Sequence, residues 1–152
     1  MKKEDLHGYV PAIATPFNEK GEIIKEAFAE LFEFLIGRGA TTICIAGDNG
    51  ESWALDAAER GHLVRLAKDI AKDRVKVMMG ISAPTIDASL AYVRAAEENG
   101  ADVLLSMPQT YVLKASEAEL MARFDKISST TEKPLVLYNS PRRMGFSLSV
   151  DQ

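Results

Sequence analysis

Five short polar segments, each directly after an apolar run, carry the side chains with chemistry to offer. They are Thr15-Pro16-Phe17, Gly47-Asp48-Asn49-Gly50-Glu51, Gly80-Ile81-Ser82, Met107-Pro108-Gln109-Thr110-Tyr111 and Tyr138-Asn139-Ser140-Pro141-Arg142-Arg143. In the second, Gly47 and Gly50 bracket two polar residues, which permits a tight turn whose amides can receive an anion. The segment is neither a dinucleotide fingerprint nor a P-loop, and spacing alone allows a plain solvated turn equally well. Tyr138 closes an apolar run; a phenol there can move protons, and Arg143 can hold a carboxylate through two parallel hydrogen bonds. The plainer reading is a half-buried tyrosine beside two surface arginines.

Other conspicuous residues point to structure. His7 and His62 lie far apart without partners at ligand spacing, so no metal site is expected. Cys44 sits inside an apolar run, the setting of an inert buried thiol. Trp53 follows the glycine turn and could wall a pocket, with packing its expected role. Lys68, Lys72 and Lys76 belong to polar helix faces or loop ends, without the apolar surroundings a catalytic amine needs.

The elements that position these segments alternate along the chain. Apolar runs at Tyr9–Ala14, Thr42–Ala46, Val75–Met79, Asp102–Met107 and Pro134–Tyr138 are short and rich in branched residues, as strands buried on both faces should be. Between them the spacing turns helical: Phe28, Leu31, Phe32 and Leu35; Leu63, Leu66, Ala67 and Ile70; Ile86, Leu90 and Val93; Leu120, Phe124 and Ile127. Asp56 before Glu59 and Ser116 before Glu119 form capping boxes. Gly39 and Asn99-Gly100 mark helix stops. Strand starts recur about every thirty residues, the length of a βα unit. Two α/β designs fit: a five-stranded doubly wound sheet, or about five of the eight units of a (β/α)8 barrel, whose full length is roughly 250 residues.

Composition removes whole classes of function. The chain has 152 residues, 47% apolar and 26% charged, with 18 basic and 22 acidic side chains. That is one ordinary globular domain. The charge of −4 argues against nucleic acid and anionic membranes as partners, since both need a concentrated positive face. No apolar run is long enough to span a bilayer, and the first residues lack a signal-peptide core. One cysteine cannot form an internal disulfide, which suits a reducing compartment. The expected location is the cytoplasm.

Taken together, Pro11-Ala12-Ile13-Ala14-Thr15-Pro16-Phe17, Gly47-Asp48-Asn49-Gly50-Glu51 and Tyr138-Asn139-Ser140-Pro141-Arg142-Arg143-Met144-Gly145 closely resemble the signature blocks of the dihydrodipicolinate synthase/N-acetylneuraminate lyase family, in order and in spacing. The resemblance implies a (β/α)8 TIM barrel in which a lysine forms a Schiff base with pyruvate or a related 2-oxo acid. Carbon–carbon bond formation, cleavage or dehydration then follows without a cofactor. It implies Tyr138 as proton shuttle, Asp48 and Tyr111 as further catalytic positions, and Gly47, Asn49, Gly50 and Arg143 as the substrate-binding set. Homo-oligomers are common in the family. Asp48 and Asn49 stand where a Gly-Thr-Thr-Gly-Glu or Gly-Ser-Thr-Gly-Glu block usually carries hydroxyls. A carboxylate at Asp48 should repel a substrate carboxylate, so sugar-acid dehydratases and aldolases fit better than a standard synthase. After the fourth strand, Tyr111 takes the second tyrosine's place in a shifted register, or Thr110 occupies it.

The family's lysine belongs at the end of strand six, about one βα unit beyond Tyr138. The fourteen residues after Tyr138 contain no lysine. The expectation is therefore residues 1–152 as an incomplete TIM-barrel domain, strands one to five with their helices, inactive alone and completed by a lysine from elsewhere. The alternative is a non-catalytic half-barrel or assembly module that binds a carboxylate without turnover.

Overall fold

In the computed structural model, which describes residues 6–108 and 115–149, the strand and helix periods predicted from the sequence resolve into one parallel sheet covered on one face. Its strands are β1 (Thr42–Ile45), β2 (Lys76–Gly80), β3 (Val103–Ser106) and β4 (Leu135–Leu137), and the helices are α1 (Lys25–Gly37), α2 (Ala57–Ala71), α3 (Ile86–Glu98), α4 (Glu117–Ser128) and α5 (Pro141–Met144). The strands lie in chain order, β1-β2-β3-β4, and every pairing is parallel. A doubly wound sheet reverses its order at a switch point. This sheet never does, which selects the barrel arrangement over the doubly wound one.

The first expected strand, Tyr9–Ala14, needs correction. It follows the edge of β1 through isolated bridges only, Tyr9 to Ala40 and Ala12 to Cys44. Pro11 has no amide to donate, so the pairing uses what remains: Cys44 N–H donates to the Pro11 carbonyl at 2.9 Å and Ile13 N–H to the Cys44 carbonyl at 3.0 Å. β1 also ends one residue earlier than the apolar run, because Ala46 takes a left-handed φ of 48°.

Alternation along the strands divides the core. Ile43, Ile45, Val77, Met79 and Leu104 join Phe28, Phe32, Leu63, Val64, Val93, Phe124 and Ile127 in the large cluster between sheet and helices. Cys44, Met78 and Val103 point the other way, with Leu6, Leu105 and Val136 beside them. That second face lines an open concavity of about 920 Å³, on the side where a closed barrel packs its interior.

Local chemistry sets the helix ends. Both predicted capping boxes form, Asp56 with Glu59 and Ser116 with Glu119. Gly39 and Gly100 take left-handed φ values of 83° and 84°, which only glycine adopts without strain. At the base of the sheet, Lys68 pairs with Asp102 at 3.0 Å, and the same carboxylate accepts from Val77 N–H at 2.8 Å. Lys68 is thus a structural tie, at the opposite end of the strands from the polar segments.

The strand tips approach closely at Gly80. A Cβ there would meet the Ala46 carbonyl oxygen at 2.1 Å, so any side chain forces the two strand ends apart. Gly80→Ala is expected to cost about 2 kcal/mol or more. Gly37→Ala, at a helix position with nothing within 4 Å, should be neutral or stabilising by up to about 1 kcal/mol. Urea midpoints of the two variants check the contrast, and equal midpoints would refute the steric account.

Candidate functional site

Because all strands run in parallel, their carboxyl ends share one rim, and the polar segments gather there. After β1, Gly47 leads into two successive 3-10 turns, Asp48–Gly50 and Ser52–Ala54. The Gly47 carbonyl accepts from the amides of Gly50 and Ser52, at 3.0 and 3.2 Å, and Glu51 takes a left-handed φ of 53° between the turns. Gly50 is buried against the first segment. Thr15 Oγ1 donates to its carbonyl at 2.7 Å, and a Cβ on Gly50 would lie 2.9 Å from the Ile13 carbonyl oxygen. Gly50 therefore lets the turn seat on its neighbour and is not on the pocket wall.

A cavity of about 110 Å³ opens at this rim, lined among others by Gly47, Asp48, Asn49, Ser82, Tyr138 and Arg143. It is room for several waters or one small acid. Tyr138 reaches it because its backbone N–H continues the β4 pairing, donating to the Ser106 carbonyl at 2.8 Å. Ser82 Oγ accepts from Met107 N–H at 2.8 Å and so ties the tips of β2 and β3. Asn139 does not join the lining. Its side chain exchanges hydrogen bonds with the backbone of Leu148, at 3.1 and 3.2 Å, and secures the following segment.

Arg143 arrives by a route the sequence reading passed over. The stretch expected to be a polar loop forms the one-turn helix α5, with Pro141 at its first position and Gly145 left-handed at its end. Ser140-Pro141 at the start and Gly145 at the stop were the available signal. This turn aims Arg143 across the mouth, where Nη1 donates to Asp48 Oδ2 at 2.7 Å. Two residues ninety-five positions apart thus form an ion pair at the entrance. Tyr111 and Thr110 lie outside the described residues. Trp53, expected to pack, is 74% exposed.

The largest omission is Arg60. It is 2% exposed and falls on the apolar face of α2 with Leu63, Val64 and Ala67, so its position in the helical stripe marked it as buried. Its guanidinium donates to the carbonyls of Gly80 at 2.7 Å, Ser52 at 2.5 Å and Leu55 at 3.3 Å. It also lies over the Tyr92 ring, 3.6 Å from the centroid. Burial pulls its pKa down to about 10, so it stays charged at neutral pH. Arg60 binds the 3-10 turns after β1 to the tip of β2 from beneath.

Cys44 lines the cavity floor and is 3% exposed. Burial, and after it the charge of Asp48, pushes its thiol up to about 12. Among the described residues no group of three histidine, cysteine or acidic side chains is placed to hold a metal, and no helix is long and apolar enough to cross a membrane.

The profile of the dihydrodipicolinate synthetase family matches residues 5–152. The chain belongs to this family. The 4-hydroxy-tetrahydrodipicolinate synthase of Salinibacter ruber is 34% identical over 144 residues, which are 95% of this chain and 47% of that protein. The synthase of a Hydrogenobaculum species is 35% identical over 147 residues, 96% of this chain and 50% of its own length. Among solved structures, YagE, a prophage protein of the family from E. coli in complex with pyruvate, superposes with a TM-score of 0.88 at 30% identity, over 95% of this chain and 48% of that one. Dihydrodipicolinate synthase from Aquifex aeolicus gives 0.87 at 31%, with 95% and 48% covered. The chain spans about half the length of the family members it matches, and its sheet and helices correspond to that portion of a TIM barrel.

Two outcomes test the rim. Arg60→Met strands three buried carbonyls and should cost about 3 kcal/mol in urea unfolding, with Arg60→Lys intermediate because a point charge cannot reach all three. With a pKa of about 12, Cys44 is thiolate in only about one molecule in 10,000 at pH 8. Iodoacetamide should therefore label it far more slowly in the folded chain than in urea. The folded thiol holds its proton where the unfolded one, near 9.0, releases it, so this group's contribution to stability falls as pH rises above about 9. Rapid labelling of the folded chain at pH 8 would refute the buried, proton-holding thiol.

Proposed function

We propose that these residues form half of the active site of a lyase acting on pyruvate or a 2-oxo sugar acid through a lysine Schiff base. The observation that carries the reading is the convergence of Asp48, Asn49, Tyr138 and Arg143 on one cavity, from strand ends at opposite sides of the sheet. Tyr138 is the proton shuttle, serving the carbinolamine and the carbon acid beside the imine. The Gly47–Asn49 backbone holds the 2-oxo acid carboxylate, and Arg143 stands at the rim toward the second substrate. Tyr111 is the candidate second tyrosine.

The pocket lining holds no lysine among the described residues. Lys133 borders the open concavity, before Leu135 at the start of β4 and so at the far end from Tyr138. On this reading the reactive amine comes from outside these 152 residues, on βα units that also cover Met78, Leu105 and Val136. The imine is the electron sink, so the route calls for neither metal nor dissociable cofactor. The single buried cysteine fits action in the cytoplasm, and the uncovered apolar face fits an assembled, oligomeric form.

Borohydride reduction in the presence of labelled pyruvate tests the reading. The 152-residue chain by itself should take up no label. The complete polypeptide, or an assembly supplying the missing units, should be labelled on one lysine outside this segment. Tyr138→Phe there should slow turnover by about 10²–10⁴-fold. A folded, complete form that traps no pyruvate would overturn the proposal.

A further inference from the structure

The ion pair at the mouth sets which second substrate the site can take, an inference that rests on the lyase reading above. Arg143 alone would be a carboxylate receptor, since a guanidinium offers a planar fork of donors that matches two carboxylate oxygens. Here one end of that fork is already engaged. Nη1 donates to Asp48 Oδ2 at 2.7 Å, and neither partner is deeply buried, with side-chain exposures of 48% for Arg143 and 25% for Asp48. Both border the cavity that Tyr138 enters. Whatever extends from the reacting carbon toward the entrance therefore meets a paired cation and anion together.

Two kinds of substituent fare differently there. A carboxylate can use the rest of the fork only by lying close to the Asp48 carboxylate, and it must either bear that repulsion or break the existing pair. A hydroxyl is both donor and acceptor. Neighbouring hydroxyls can donate to Asp48 and accept from Arg143 while the pair stays intact, so they gain two charge-assisted bonds with no like-charge contact. Asn49, exposed beside Asp48 on the same wall, adds an amide that also suits hydroxyls. We infer that the Asp48–Arg143 pair makes this site select a neutral, polyhydroxylated second substrate and reject one carrying a second carboxylate. Asp48 acts here as the residue that determines specificity, through contact with the substrate and through its hold on Arg143.

The test uses the complete, imine-forming protein, pyruvate as the first substrate, and two aldehydes as second substrates: glyceraldehyde, which is neutral and hydroxylated, and succinic semialdehyde, which carries a carboxylate. The readout is the ratio of their kcat/KM values, which cancels any general loss of activity. The native protein should favour glyceraldehyde. Asp48→Thr should move the ratio toward succinic semialdehyde by about tenfold or more. Asp48→Asn, which keeps the size and removes the charge, should move it in the same direction and supplies the answer if the threonine variant does not fold. Borohydride trapping with pyruvate is run on each protein alongside. Trapping with an unmoved ratio, or a native preference for the charged aldehyde, overturns the inference and leaves the lyase reading standing. Failure of the native protein to trap pyruvate overturns the lyase reading, and this inference with it.

Discussion

Every feature of the candidate site depends on one constraint: each strand is parallel to the last, and each connecting helix returns over the same face of the sheet. A parallel crossover of this kind is right-handed because a twisted strand feeding a right-handed helix packs back only one way. Repeated in chain order, it carries every strand's carboxyl end to a single rim. Asp48 after β1, Ser82 after β2 and Tyr138 after β4 become neighbours for that reason alone. The same constraint sends Lys68, Asp102 and Lys133 to the other end, where Lys68 and Asp102 tie helix to sheet and Lys133 borders the concavity.

Bringing strand tips together is not enough to make a site, because the turns that follow them need a fixed shape. Two devices supply it. Glycine at position 80 removes the side chain that would strike the Ala46 carbonyl, so β1 and β2 can end side by side. Arg60 then reaches up from α2 and satisfies carbonyls from both the 3-10 turns and the tip of β2. A buried guanidinium is costly to desolvate, and three carbonyl acceptors and an aromatic face offset that cost. The result is a wall whose position is set from below, leaving Asp48 and Asn49 to face the cavity.

Both faces of the sheet are apolar, but helices cover only one. Helices shield Ile43, Val77, Met79 and Leu104, while Met78, Leu105 and Val136 line the open concavity. Coverage of about half of each solved relative gives this face its meaning, since in a closed barrel those residues form the packed interior. Site and concavity adjoin, sharing Ala12, Cys44, Leu105 and Tyr138.

Much of this was legible in the residues themselves. Period-2 and period-3.6 patterns, capping boxes at Asp56 and Ser116, and left-handed stops at Gly39 and Gly100 are local, and local physics enforces them whatever the surroundings. The tips carrying Asn49, Tyr138 and Arg143 could be named for the same reason, as polar segments following apolar runs. Sequence did not reveal that Tyr9–Ala14 would pair only through bridges, because the missing donor at Pro11 matters only once β1 lies beside it. Nor did it show Gly50 turned onto Thr15, Arg60 under the rim, or Arg143 reaching Asp48. Those are contacts between residues distant in the chain, where geometry decides among several partners that chemistry alone would allow. The chain's order of elements determined which residues would share an end of the molecule; only packing in three dimensions decided which of them touch.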